Sequence, residues 1–101
     1  MKDSEIKSKS AELYQRAQKT LPGGVSRNTV LRTPHPVYAD FASGFNVTDI
    51  EGVEYIDFSN NMASLLHGHA HLGTVNAVTE QLQRGSAFML ATEIEVRYAE
   101  Y

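Results

Sequence analysis

Asp49-Ile50-Glu51-Gly52-Val53-Glu54-Tyr55-Ile56-Asp57 decides how the middle of this chain folds. Aspartate suits the first position of a β-turn because its side chain bonds to the backbone of the turn, and glycine suits the fourth. Val53–Phe58 after the turn is strand-like, as are Phe45–Thr48 and Val37–Phe41 before it, the latter two separated by Ala42-Ser43-Gly44. Three short runs with tight separators predict an antiparallel β-meander.

Upstream, Ile6, Leu13, Tyr14, Ala17 and Leu21 recur at helical and heptad steps between charged and amide residues. This predicts an amphipathic helix over 3–21, with Asp3 and Glu5 near its positive end and Lys19 near its negative end. Pro22 and Gly23-Gly24 end it, since proline breaks the hydrogen-bond ladder and glycine adopts positive φ. Val25 to Pro36 reads as an irregular crossing segment, held extended by the prolines around His35. Downstream, Leu72, Val75, Val78 and Leu82 mark a second helix ending at Arg84-Gly85. Thr92 caps a third, and Glu95 three residues on completes a capping box. The chain stops at Tyr101 inside that helix and therefore reads as cut short. No repeat or linker divides it, so the expectation is a single α/β unit spanning 1–101.

Composition narrows the function. With 101 residues and 42% hydrophobic side chains, the chain has material for one modest core and cannot enclose a large cofactor between two domains. A net charge of −3 argues against nucleic acid or an anionic membrane as the main partner. The absence of cysteine excludes disulfide and thiolate chemistry. The N-terminus lacks the apolar core of a secretory signal, and the longest uncharged stretch, from Phe58 up to Glu80, is broken by asparagine, histidine and glycine. A cytoplasmic protein with no membrane span is expected.

Several residues are candidates for chemistry. Arg27 and Arg32 follow the double glycine, and a planar guanidinium binds carboxylates in a bidentate way. Asn60-Asn61 and Ser64 lie just after a strand end, where binding groups often project. His67, His69 and His71 alternate and could ligate a metal, although no acidic residue lies between Asp57 and Glu80 to complete the set. The more economical reading has these histidines bonding backbone groups of a glycine loop at a helix start. Neither phosphate-loop glycine spacing occurs.

In order and spacing, the helix Glu12–Ala17, Leu21-Pro-Gly-Gly-Val25, the Asp49–Asp57 meander, Gly68-His-Ala-His71, Arg84-Gly85 and Ala91-Thr-Glu93 form a series. That series resembles the N-terminal part of class III pyridoxal-phosphate aminotransferases, in the glutamate-1-semialdehyde 2,1-aminomutase-like branch. The likeness runs from about residue 10 to 100. It implies part of a fold-type-I transferase that uses pyridoxal 5'-phosphate on a small amino substrate and works as a homodimer. In that family the cofactor-binding residues come later in sequence, so the resemblance assigns none here. Its aminomutases carry Asn-Ser-Pro-Val-Arg after the double glycine; here Val30 stands at the ungapped arginine position. Met62 replaces an aromatic, and Leu72 and Ala91 replace prolines.

A Schiff-base lysine needs a desolvated pocket. All four lysines, Lys2, Lys7, Lys9 and Lys19, lie in the first nineteen residues, and none suits that role. No catalytic residue is therefore expected in this chain, which should be inactive alone. Arg27, Arg32, Met62 and Ser64 are its expected substrate-pocket residues. The competing expectations are a small histidine-loop metal protein and a non-enzymatic dimerising remnant.

Overall fold

A computed structural model describes residues 8–101, which divide into two compact units between His69 and Ala70. The first is organised around the Asp49–Gly52 turn. Asp49 Oδ1 accepts from Glu51 N and Val53 N, both at 2.9 Å, and Gly52 N donates to Asp49 O at 2.9 Å. These bonds join β2 (Asn46–Asp49) to β3 (Glu54–Ile56), and β1 (Ala39–Ser43) pairs on the other side of β2. The antiparallel order β1-β2-β3 is the expected meander. Ala42, Val47 and Tyr55 stand opposite one another across the three strands.

β1 begins two residues later than the sequence indicates. Ala42-Ser43 belongs to the strand, because Ser43 pairs with Asn46 and leaves Gly44-Phe45 as a two-residue loop. An irregularity between Ala39 and Phe41 takes in Asp40. The bulge lets both Ala39 and Ala42 share a sheet face despite their odd spacing.

Helix α1 spans Lys9–Ala17. The expected acidic start at Asp3 and Glu5 lies outside the described residues. Ser8 caps α1, its Oγ accepting from Ala11 N at 3.1 Å, and Ser10 N donates to Glu51 Oε1 at 3.0 Å. Lys9 Nζ reaches Ile50 O at 3.2 Å. Two of the amides that any helix leaves unpaired at its start are thereby satisfied, one by the β2–β3 turn. The segment that follows contains short 3₁₀ turns at Pro22–Gly24 and Asn28–Val30, and the Thr33–Pro34 bond is cis.

The second unit holds α2 (Leu72–Arg84) and α3 (Glu93–Ala99). His71 caps α2 through Nδ1, which accepts from Thr74 N at 3.3 Å, and supplies a helix start where no proline stands. Gly85 ends α2 at φ 113°, and its amide donates to Leu82 O. Thr92 and Glu95 form the expected capping box at α3, with Glu95 Oε2 accepting from Thr92 N at 3.0 Å.

Among the described residues no large apolar side chain is buried; the buried polar residues are Ser10, Thr48 and Asp49. No described helix is long and apolar enough to cross a membrane.

Candidate functional site

The first unit contains a cavity of about 800 Å³ beside the sheet. Val37, Phe41, Ala42 and Val47 are among its apolar lining residues. Arg27, Thr29, Val30 and Arg32 line it from the segment after the double glycine, and Asp57, Ser59, Asn61, Met62 and His69 line it from the stretch after β3. Three of the four expected pocket residues, Arg27, Arg32 and Met62, thus share one space.

The two arginines differ in what they already hold. Arg32 Nη1 donates to Thr29 O at 2.9 Å and to Leu31 O at 2.8 Å, so it closes the Asn28–Val30 turn. Arg27 is extended (φ −153°, ψ 142°) and, among the described residues, its guanidinium makes no hydrogen bond or ion pair. An uncommitted guanidinium beside apolar surface has the chemistry to take a carboxylate in a bidentate way. Asp40 and Asp57 line the same cavity.

The lining after β3 has unusual backbone. Asn60, Asn61, Met62 and Ala63 all have positive φ, at 48°, 49°, 60° and 62°. They form a left-handed helical turn. Two asparagines tolerate this region, but for ordinary residues such as Met62 and Ala63 it costs about 1–2 kcal/mol each. Side chains hold the turn closed. Asp57 Oδ1 accepts from Ser59 N at 3.0 Å and Asn60 N at 2.8 Å, and Asn60 Nδ2 donates to Leu65 O at 2.7 Å. Ser64, the fourth expected pocket residue, is outside the cavity lining. Its Oγ donates to Asn61 O at 2.8 Å and accepts from Asn61 Nδ2 at 3.0 Å, so it fixes the turn from behind.

Asp57 has a second engagement. Its Oδ2 accepts from His69 Nε2 at 2.6 Å, both side chains being largely shielded from solvent. This hydrogen bond, followed by the Asn60 amide, holds the Asp57 carboxyl below its ordinary pKa. His69 is fixed through its backbone as well: it exchanges both amide hydrogen bonds with Gly44, at 2.8 and 2.9 Å. Gly68 permits that approach, since a Cβ there would come 2.6 Å from Gly44 O.

The histidines therefore do different work. His69 pairs with Asp57, and His71 caps α2 while bonding Thr74 Oγ1 at 3.0 Å. Among the described residues no three histidine, aspartate or glutamate side chains gather to hold a metal. Sequence reading sought an acidic partner after Asp57 and so missed Asp57 itself. The signal is present: Asp57 at a strand end, with Ser59-Asn60 two and three residues on, is placed for an Asx turn.

This α/β segment, with its meander and histidine-bearing glycine loop, is similar to part of the pyridoxal-phosphate-dependent aminotransferases and aminomutases. No family profile matches the chain. Among curated proteins it is 42% identical over 92 residues to glutamate-1-semialdehyde 2,1-aminomutase of Methanothermobacter thermautotrophicus, covering 91% of this chain and 22% of that one. Among solved structures, a transaminase with PLP bound is 49% identical with a TM-score of 0.88, over 94% of this chain and 22% of the other. An omega-transaminase from Sphaerobacter thermophilus is 44% identical with a TM-score of 0.89, over 95% and 22%. The chain thus spans about a fifth of the length of the relatives it matches.

The described lysines, Lys9 and Lys19, are exposed, and Lys9 already bonds Ile50 O. Neither offers the desolvated amine that the cofactor aldehyde requires. The described residues do not fit the covalent site of pyridoxal phosphate, and no chemical step through it falls to them.

Proposed function

We propose that this chain is the N-terminal portion, a single unit over 1–101, of a pyridoxal-phosphate-dependent aminotransferase or aminomutase. Its substrate is an amino acid or amino-ketone, and alone the chain is not competent for catalysis. In this reading Arg27 anchors the substrate carboxylate and Met62 borders the substrate side chain. Arg32 and Ser64 belong to the same pocket by holding its walls. The working protein is a cytoplasmic homodimer, whose second copy and remaining chain cover the apolar surface exposed here.

The observation that carries the reading is Arg27, a guanidinium without a described partner in a cavity that also holds Met62. Hydrogen bonds to charged groups contribute about 1.5–3 kcal/mol, which corresponds to roughly ten- to hundredfold in affinity. In the native protein isolated from its source, Arg27→Ala should raise KM for carboxylate-bearing amino donors by that factor, with Arg32→Ala affecting it less. Unchanged KM in Arg27→Ala would remove the anchor. The 101-residue polypeptide, given cofactor and amino donor, should form no keto product; measurable turnover would contradict its incompetence.

A further inference from the structure

The Asp57–His69 pair joins two parts of the chain twelve residues apart, and between them lies the left-handed turn that faces the cavity. Asp57 divides its carboxylate between these duties: Oδ1 receives the first amides of the turn and Oδ2 receives His69. Its own amide donates to Phe45 O at 2.8 Å, and His69 is bridged to Gly44 one residue away. The β1–β2 loop thus fixes both partners by their backbones, and their side chains meet across the base of the turn. A run of four positive-φ residues that includes methionine and alanine does not persist on local preference and needs such outside constraint.

We propose that Asp57 and His69 act as positioning residues that hold Asn61 and Met62 in the cavity wall, and thereby set which substrate side chains the pocket accepts. This rests on the reading of the cavity as a substrate pocket. His69 acts through Asp57, Asp57 through the turn amides, and the turn through the placement of Met62. If the pair is lost, the turn relaxes toward ordinary φ and Met62 leaves its position. The carboxylate end of the pocket, with Arg27, is unaffected.

The test uses the native protein and two amino donors that share a carboxylate, one with a small and one with a bulky side chain. His69→Ala keeps the backbone bridge to Gly44 and removes only the ring. It is expected to change the ratio of kcat/KM for the two donors at least fivefold. His69→Gln restores a donor near Oδ2 and should return the ratio toward that of the parent. Ala63→Gly introduced into His69→Ala should also restore it, because glycine takes positive φ without penalty. A general loss of stability would lower kcat/KM for both donors alike and leave their ratio unchanged. φ-sensitive amide couplings at Met62 and Ala63 report the same event without turnover, and should lose their positive-φ values in His69→Ala alone. An unaltered ratio in His69→Ala, with Arg27→Ala weakening both donors alike, overturns the positioning role and leaves the pocket standing. If Arg27→Ala weakens neither donor, the pocket itself falls and this inference with it.

Discussion

Asp49 and Asp57 each gather several donors onto one carboxylate, and their consequences appear on titration. The Val53 amide is the main influence that keeps the Asp49 carboxyl below its ordinary pKa, with Tyr55 Oη donating to Oδ2 at 2.9 Å and the Glu51 and Gly52 amides adding to it. For Asp57 the His69 hydrogen bond leads. A carboxyl with a depressed folded pKa binds fewer protons folded than unfolded, so its stabilisation is complete above the ordinary carboxylate range. It is lost as pH falls through the folded value. Tyr55 has the opposite sense: its bond to Asp49 raises the phenol pKa, so its contribution holds below the ordinary phenol range and fades as pH rises through the raised value. Asp49→Asn should therefore destabilise the native protein near neutral pH and flatten the acid limb of its stability curve. Thermal melts across a pH series would show this, and parallel acid limbs for parent and variant would refute it.

At the scale of elements, the glycines separate two kinds of constraint. Gly52 and Gly68 both have positive φ, at 86° and 76°, but a Cβ on Gly52 meets nothing within 4 Å whereas one on Gly68 meets the Gly44 backbone. Gly52→Ala should cost only the backbone penalty of about 1–2 kcal/mol. Gly68→Ala must also push apart the Gly44–His69 bridge, so it should destabilise more and disturb the Asp57–His69 pair. Denaturant midpoints of the two variants decide this, and equal shifts would show that the bridge is dispensable. The same division explains what the sequence made legible. The Asp49–Gly52 turn, the Thr92–Glu95 capping box and the Gly85 stop are each set within a few residues, and each lies where the pattern placed it. β1 slipped because Ala42-Ser43 looks like a separator until pairing with Asn46 is known. The left-handed turn depends on Asp57 meeting His69, and the contrast between Arg27 and Arg32 depends on which guanidinium finds carbonyls. Neither is encoded in local spacing.

Across the whole molecule the governing fact is the fate of its apolar side chains. Ile56, Phe58, Val75 and Leu82 are 59%, 92%, 45% and 60% exposed, and Met62, Leu66, Met89 and Leu90 exceed them or nearly so. Ordering one residue's backbone costs about 1–2 kcal/mol. Burying a leucine or phenylalanine offsets this by roughly 1.5–3 kcal/mol, and a net hydrogen bond by only about 1 kcal/mol. With no large apolar side chain buried among the described residues, turns and caps must supply nearly all the stabilisation, and they do not suffice. The 101-residue polypeptide in dilute solution should therefore bind hydrophobic dyes strongly, give weak near-UV dichroism and melt without a sharp transition. Anything that covers these faces binds only the folded form and stabilises it by mass action. Raising the concentration until copies associate should accordingly sharpen the melt and displace the dye. A sharp, concentration-independent melt with no dye binding would mean that the chain finds enough burial by itself, and the need for a covering partner would disappear.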